Sequence, residues 1–321
     1  MLTRRSLIAA SAAIALPAVS ARAQSSFPAF IDGLREEARR DGISPGTLEA
    51  ALRGVAPIQR VLELDRHQPE FTLTWAQYKA RVLPAQRLAA AHDAYLQQRS
   101  WFDSVWQHFR VNPGVIIGIW GLESNFGGRT GNFGIVGALA TLAWDGRRAS
   151  YFRGELINAL RILDQGDVTP AGMTGSWAGA MGQPQFMPSS YLHYAVDFDG
   201  DGRRDIWRSV PDVLGSVGNY LARSGWRGGE PWGQPIAIPP GFDGALAGRD
   251  TTRPLGEWMR LGVRRANGSP FSRSDVPGSV LLPDGPGGEA YMVYANFKAI
   301  RRYNPSDFYA LAVGLLGNAA A

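Results

Sequence analysis

The sequence contains no cysteine and only four histidines in 321 residues. The absence of cysteine excludes disulfides, so an exported form of this chain would depend on its hydrophobic core alone. It also excludes the lipid-carrying cysteine that tethers many exported proteins to a membrane. A zinc site needs several ligands at close spacing, which these scattered histidines do not offer: His67, His92, His108 and His193.

Runs of lysine and arginine are also missing, although the formal net charge is +5. Three of the positive charges, Arg4, Arg5 and Arg22, lie in the first 23 residues, which contain no acid. Without that segment the net charge falls to +2. The sequence therefore lacks the basic surface typical of nucleic-acid binding, and we expect no nucleic acid as a partner.

Residues 1–23 have the pattern of a secretory signal peptide. A basic head precedes an apolar stretch at 6–19, and ARA at 21–23 is a cleavage signal of the A-x-A type. The apolar stretch is too short for a lasting transmembrane helix, so we expect no membrane anchor. The segment TRRSLI resembles a twin-arginine export signal, and an ordinary signal with two arginines is the alternative. The prediction is a soluble periplasmic protein.

Apolar residues recur at helical spacing through most of the remaining chain. Ser44-Pro45 and Asn112-Pro113 each combine a capping residue with a first-turn proline, which is typical of a helix start. The predicted helices lie near 27–38, 45–54, 71–82, 84–98, 100–110, 113–123, 133–144, 150–164 and 306–316. Strand-like runs at 279–282 and 290–294 follow a segment rich in glycine and proline that begins near 226.

These patterns predict a mainly α (α+β) protein. We expect residues 24–227 to form a helical body and residues 228–296 a small β-containing insertion. Residues 297–321 then return to the helical body.

A single acidic residue, Glu123, stands where an apolar helix is expected to end. Residues 113–122 are almost entirely apolar, and the polar sequence ESNFGGRTG follows. The negative end of the helix dipole and the apolar neighbours Trp120 and Phe126 both disfavour an ionised carboxylate and raise its pKa. A carboxylic acid that stays protonated near neutral pH suits general-acid catalysis. An exposed glutamate at a helix end is the alternative.

A second segment, GSWAGAMGQPQFMPSSY at 175–191, mixes glycine with isolated polar and aromatic side chains. Glycine allows the backbone to approach a ligand closely. Amide and hydroxyl groups beside aromatic rings suit a sugar, which has polar edges and apolar faces. The composition fits a carbohydrate-binding loop and a loop that only turns the chain equally well.

Four motifs, in this order, resemble the lytic murein transglycosylase B family: GLESNFG at 121–127, the 175–191 segment, DFDGDGRRDIW at 197–207 and YNPSDFYALAV at 303–313. The resemblance covers nearly the whole chain after the signal segment. It implies a lysozyme-like helical core, an additional helical domain and a small β domain. It also implies cleavage of the bond between N-acetylmuramic acid and N-acetylglucosamine in peptidoglycan, without water, to leave a 1,6-anhydromuramic end.

The same resemblance implies roles for individual residues. Glu123 matches the catalytic acid, and Arg147 and Arg148 match a basic pair that could meet a peptide or lactyl carboxylate. The positions that match groove residues are Tyr78, Ser176, Gln185, Tyr220, Tyr303, Asn304 and Tyr309. Gln183-Pro184 departs from the family pattern, which has an aromatic residue and a glycine there, so we expect a different local loop shape.

Only one carboxylate occurs in the motifs around Glu123 and Gln185, whereas most glycosidases use two. Asp145 and Glu155 have the pattern of surface or structural groups. We therefore predict that Glu123 acts first as acid and then as base, while the substrate's own N-acetyl group stabilises the charge at C1. A muramidase that hydrolyses the same bond and a non-catalytic peptidoglycan-binding or scaffold protein are the alternatives. Glycan strands are the expected partner, with cell-wall synthases as further candidates, and a monomer is expected.

The DFDGDGRRDIW segment begins like a calcium loop. Asp197, Asp199 and Asp201 stand at the first, third and fifth positions of an EF-hand pattern, with Gly202 sixth and the carbonyl of Arg203 seventh. The twelfth position is Arg208 rather than glutamate, so the standard loop fails there.

The resemblance implies Asp212 as the closing ligand of this loop, and Asp205 is a second candidate. We expect a structural Ca²⁺ or Na⁺ and no organic cofactor. A plain surface turn, or a protein that is only a calcium-binding module, is the alternative.

Overall fold

The computed structural model describes residues 26–66, 73–145 and 147–320. The predicted signal peptide lies outside these residues, as do residues 71–72 of a predicted helix. The helices of the first half are α1 Phe27–Arg40, α2 Pro45–Leu52, α3 Gln59–Arg66, α4 Trp75–Val82, α5 Ala85–Gln97, α6 Arg99–Phe109 and α7 Pro113–Ser124. Those of the second half are α8 Ile135–Asp145, α9 Ala149–Gln165, α10 Pro188–Tyr194, α11 Val210–Arg223, α12 Leu255–Arg260, α13 Ala295–Tyr303 and α14 Asp307–Ala320.

The described part of the chain also contains seven short strands. They are β1 Phe133–Gly134, β2 Thr174–Gly175, β3 Gly233–Ala237, β4 Arg253–Pro254, β5 Arg264–Arg265, β6 Pro277–Leu281 and β7 Ala290–Val293. The predicted fold class, mainly α with a small β part, is therefore confirmed.

The capping residues explain where several helices begin. The Ser44 hydroxyl accepts from the Thr47 N–H at 3.3 Å, and the Asn112 carboxamide accepts from the Gly114 N–H at 2.7 Å. Each side chain satisfies a backbone donor that has no partner within the helix. The predicted starts of α2 and α7 are confirmed.

Helix α7 runs through the middle of the larger core. It is buried almost all round, as expected of a helix without a polar face. It packs against α14 at very short range, because a Cβ atom on Gly118 would lie 2.2 Å from the Val313 carbonyl oxygen. Likewise, a Cβ atom on Gly317 would lie 2.0 Å from the Gly114 carbonyl oxygen. The glycines thus permit a backbone contact that no other residue type allows.

A separate small sheet lies between residues 233 and 293. Its strands are antiparallel in the order β4-β6-β7-β3-β5, and Val280 pairs with Met292 across β6 and β7. One face covers a second core that includes the fully buried Trp258. The domain boundaries at 227/228 and 296/297 stay predictions.

The loop between β6 and β7 binds the start of α4. Asp284 accepts from the Trp75 and Ala76 N–H groups at 2.5 and 3.0 Å. Glu289 accepts from the Trp75 indole at 2.8 Å and from Lys79 at 2.6 Å. The small sheet is therefore hydrogen-bonded directly to the helical part. None of the helices in the described ranges is both long and apolar enough to cross a membrane.

Candidate active site

Glu123 lies in the last turn of α7 and is half-buried. Its carboxylate accepts a hydrogen bond from the Tyr309 hydroxyl at 2.7 Å. Tyr309 stands in the first turn of α14, where its N–H donates to the Ser306 hydroxyl at 3.3 Å. The close packing of α7 on α14 thus brings together two residues that are 186 positions apart.

Burial raises the pKa of Glu123 from 4.5 to about 7, and the hydrogen bond from Tyr309 lowers it by a smaller amount. Apolar surroundings disfavour the charged form, while a donor aimed at the carboxylate favours it. The direction of this shift is the one that the sequence predicts. At neutral pH the carboxyl is therefore present in both protonated and ionised forms, which one group needs in order to give and then accept a proton.

Trp120 and Phe126 flank Glu123 in the chain, three positions before it and three after it. Trp120 is buried, and its ring meets that of Phe126 edge-on at 5.6 Å between centroids. The Trp120 indole donates to the Gln183 carboxamide oxygen at 2.8 Å. The Gln183 amide nitrogen then donates to the Trp207 carbonyl at 3.0 Å. Gln183 thus ties α7 to the loop after α10.

Three tyrosines lie near enough to Glu123 to feel its charge. Burial raises the pKa values of Tyr78, Tyr303 and Tyr309, and the nearby Glu123 charge raises them further. The Tyr303 hydroxyl donates to the Pro184 carbonyl at 2.5 Å. Tyr220 packs on Tyr303 at 4.7 Å between ring centroids, and its hydroxyl donates to the Arg302 carbonyl at 2.6 Å. Tyr220 therefore supports Tyr303.

The glycine-rich segment is held by its own polar side chains. Ser176 accepts from the Ala180 N–H at 3.0 Å and closes a tight turn. Gln185 has a positive φ of 53°, and its amide nitrogen donates to the Gly182 and Thr130 carbonyls at 2.8 and 3.0 Å. Strain of this kind is typical of functional loops. Asn304 lies in the short α13–α14 connection, where its side chain accepts from the Ser306 N–H at 3.1 Å.

The two predicted basic residues have other partners. Arg147 donates to both carboxylate oxygens of the buried Asp65, at 2.8 and 3.1 Å, and links α3 to the turn before α9. Arg148 lies over the Phe152 ring at 4.8 Å. Neither guanidinium is among the groups that shift the pKa of Glu123.

A different arginine, Arg87, contacts the end of α7. It donates to the Val82 carbonyl at 2.6 Å and to the Asn125 side chain at 3.4 Å, and its charge acts on Tyr78. Burial, followed by the charge of Arg129, lowers the pKa of Arg87. No sequence motif points to Arg87. Gln183 was visible only as a departure from a family pattern.

The two other carboxylates considered from the sequence have structural partners. Glu155 is buried and accepts from the N–H and hydroxyl of Ser189 at 2.8 and 2.7 Å. Asp145 pairs with Arg66 at 2.6 Å. The pKa of Glu123 is shifted by burial and Tyr309 and by no second carboxylate of the described residues.

The acidic loop brings Asp197, Asp199 and Asp201 together, with carboxylate oxygens within 4.8 Å of one another. Asp197 also accepts from the Gly200 and Gly202 N–H groups at 2.8 Å, which folds the loop around the cluster. Three carboxylates supply the oxygen ligands that Ca²⁺ prefers. The donor chemistry of this loop therefore fits the predicted cation.

Asp212 and Asp205 act on the backbone of the same loop. Asp212 is buried and accepts from the Phe198 and Asp205 N–H groups at 2.7 Å each. Asp205 accepts from the Trp207 and Arg208 N–H groups at 2.9 Å. Asp212 thus closes the loop through hydrogen bonds, and its role as a cation ligand stays a prediction.

Comparison with known proteins adds to this geometry. A family described as a transglycosylase SLT domain matches residues 26–318. The membrane-bound lytic murein transglycosylase B of Escherichia coli (strain K12) is 36% identical over 260 residues, which are 77% of this chain and 67% of that protein.

Solved structures are similar over most of the chain. SltB3 from Pseudomonas aeruginosa, in complex with NAG-anhNAM-pentapeptide, is 44% identical with a TM-score of 0.89, over 92% of this chain and 79% of that one. The Escherichia coli lytic transglycosylase Slt35, in complex with calcium, is 33% identical with a TM-score of 0.75, over 92% of each chain.

Proposed function

The chain belongs to the transglycosylase SLT domain family, and we propose that Glu123 is the single acid–base group of its reaction on peptidoglycan. The enzyme is a lytic murein transglycosylase. The observation that carries the proposal for Glu123 is its burial beside Tyr309, with a pKa of about 7 that no second carboxylate of the described residues shifts. One group near neutrality can both donate and accept a proton.

In the first half of the reaction, the protonated Glu123 carboxyl donates its proton to the glycosidic oxygen between N-acetylmuramic acid and N-acetylglucosamine. The C1–oxygen bond breaks, and the N-acetyl oxygen of the substrate stabilises the positive charge at C1. The Tyr309 hydroxyl, at 2.7 Å, donates to the carboxylate that is left. This hydrogen bond stabilises the ionised product of the proton transfer.

In the second half, the Glu123 carboxylate accepts the proton of the C6 hydroxyl, and the C6 oxygen forms a bond to C1. The product is a 1,6-anhydromuramic end, no water is consumed, and Glu123 regains its proton. The walls formed by Trp120, Phe126 and Tyr303 keep the site apolar, which favours the intramolecular attack over attack by water.

Mass spectrometry of the muropeptides released from purified peptidoglycan tests this mechanism. Products lighter by one water, with anhydromuramic ends, are expected from the wild type. Glu123→Gln should release none, while Glu49→Gln, the same change on the exposed face of α2, should behave as wild type. Reducing ends would instead identify a muramidase. An active Glu123→Gln variant would show that another group is the acid.

We propose that the acidic loop holds a structural Ca²⁺ through Asp197, Asp199 and Asp201, with Arg203 offering its carbonyl. The relative Slt35 was solved in complex with calcium. The ion would neutralise three carboxylates whose oxygens lie within 4.8 Å of one another. It would thereby stiffen the chain that follows the glycine-rich segment. Calcium titration calorimetry and thermal unfolding test this proposal, and the absence of both heat and thermal shift would contradict it.

Export to the periplasm is proposed from the signal-peptide pattern in residues 1–23. The groove roles of Tyr78, Ser176, Gln185, Tyr220, Asn304 and the Arg147–Arg148 pair also stay predictions. So do cell-wall synthases as partners and a monomeric state.

A further inference from the structure

The small sheet carries two adjoining cavities that the proposed reaction does not use. The larger, of about 440 Å³, lies between β3, β5 and the chain before β6. The smaller, of about 220 Å³, lies toward the start of α13. They share Arg227, Pro277, Tyr294 and Ala295, so they lie side by side, and together we call them the depression. The larger volume falls in the range of small-ligand sites.

The charge of this depression is positive. Five cations line it, namely Arg227, Arg249, Arg265, Arg273 and Lys298, against two acids, Glu230 and Asp275. Arg273 is neutralised by Asp275 through contacts of 3.1 and 2.5 Å, and Arg249 by Asp307 at 3.0 Å.

The remaining cations are available to a ligand. Arg227 approaches Glu230 only to 3.8 Å. Within the part of the chain that the structure describes, the side chains of Arg265 and Lys298 form no ion pair. Both are exposed and lie on the walls of the depression. A ligand with two separated negative groups could therefore pair with both.

The floor between these cations is apolar, with a polar centre. Leu255, Phe271 and Tyr294 are buried below it. The Tyr294 hydroxyl accepts from the Gln234 amide at 2.6 Å and lies beside Arg265. Separated cations over an apolar floor suit a molecule that carries carboxylates on a carbon skeleton. Arginine matches the planar carboxylate in particular.

The position of the depression relative to Glu123 points to the source of such a molecule. Helix α13 begins at Ala295, on the rim, and ends at Tyr303, beside Glu123. At 1.5 Å per residue this is about 12 Å along the helix axis. An extended chain of four residues spans about 13–14 Å. A four-residue peptide is therefore about as long as α13, the helix that leads from the rim to Tyr303.

We propose that this depression is a binding site for the peptide stem of peptidoglycan, which it holds by its carboxylates. The inference deepens the proposed function and takes the identity of the peptide from it. Two groups of the stem would serve as anchors, the free carboxylate of its γ-linked D-glutamate and its C-terminal carboxylate.

The test is calorimetric titration of the full chain with the synthetic peptide L-Ala–γ-D-Glu–meso-diaminopimelate–D-Ala. We expect binding that weakens with salt, and a loss of about two- to fivefold in Arg265→Gln, the scale of one exposed ion pair. Arg260→Gln is the matched control, because Arg260 is exposed on α12 of the same unit but lines neither cavity. The same peptide with its carboxylates amidated should not bind.

The results separate this site from the proposed reaction, since the free peptide contains no bond for the enzyme to cleave. If the peptide binds but the protein shows no lytic activity, the binding site is supported and the proposed reaction is rejected. If the protein is active but does not bind the peptide, the reaction is supported and the binding site is rejected. Three results would overturn the site: equal affinity of Arg265→Gln and wild type, equal affinity for the amidated peptide, or displacement of the peptide by an equal concentration of inorganic phosphate.

Discussion

Replacement of Glu123 by glutamine should stabilise the protein, and by an amount that depends on pH. Burial raises the pKa of the folded carboxyl from 4.5 to about 7. The folded state therefore favours the protonated form, and the contribution of this group to stability is complete below pH 4.5. It is lost as the pH rises from 4.5 to about 7, because the unfolded chain then releases this proton while the folded carboxyl still holds it. Glutamine keeps the neutral shape at every pH.

The magnitude follows from the size of the shift. At about 1.4 kcal/mol per pKa unit, the rise from 4.5 to about 7 corresponds to roughly 3 kcal/mol. The free energy of unfolding of Glu123→Gln minus that of the wild type should therefore grow by roughly 2–3 kcal/mol between pH 4.5 and pH 8. The Tyr309 hydroxyl can still donate to the carboxamide oxygen, so the variant loses no hydrogen bond at this site.

Urea unfolding followed by tryptophan fluorescence at pH 4.5, 6 and 8 measures this difference. Other titrating groups contribute equally to both proteins and cancel, provided that they lie far from Glu123. Glu49→Gln is the control, and its difference from the wild type should be small and independent of pH. A difference for Glu123→Gln that does not change with pH would refute the argument that the carboxyl is desolvated in the folded state.

Three further predictions follow from the same contacts. Tyr309→Phe removes the donor that lowers the pKa of Glu123. The alkaline limb of kcat/KM for anhydromuropeptide release should therefore move up by about 1 pH unit. Tyr291→Phe removes a hydroxyl bonded to Glu289 and should leave the alkaline limb unchanged. Gly118→Ala should lower the free energy of unfolding by about 1–3 kcal/mol or more, since the added Cβ would lie 2.2 Å from the Val313 carbonyl oxygen. Gly33→Ala in α1 is the control, because nothing lies within 4 Å of the added Cβ there. It should be neutral or slightly stabilising. Asp197→Asn should abolish the calcium-induced rise in Tm, whereas the exposed Asp103→Asn should retain it.

Local signals in the sequence predict a large part of the helical fold. Helix α7 could be placed because a cap, a first-turn proline and an apolar run agree at adjacent positions. Helix α13 was not predicted, since it follows a strand directly and its start has no capping side chain. The short strands β4 and β5 were missed for a related reason. Two residues each are too few for a period to appear.

Glu123 itself could be selected from the sequence, but its surroundings could not be derived from local pattern. Tyr309 reaches it from 186 positions away, and only the resemblance to a family connected the two. The contact depends on close approach of α7 and α14. In hindsight the signal for that approach is glycine at positions 114, 118 and 121 of one helix and 317 of the other.

Gln183 shows how a departure from a motif can preserve the site by different chemistry. An aromatic residue at this position would fill space with its ring, whereas a carboxamide is a small planar group that accepts through its oxygen and donates through its nitrogen. The Gln183 carboxamide accepts from the Trp120 indole and donates to the Trp207 carbonyl, so a buried donor and a backbone acceptor are both satisfied. Since Trp120 lies one helical turn before Glu123, this bridge holds a buried ring in the same part of α7 as the acid.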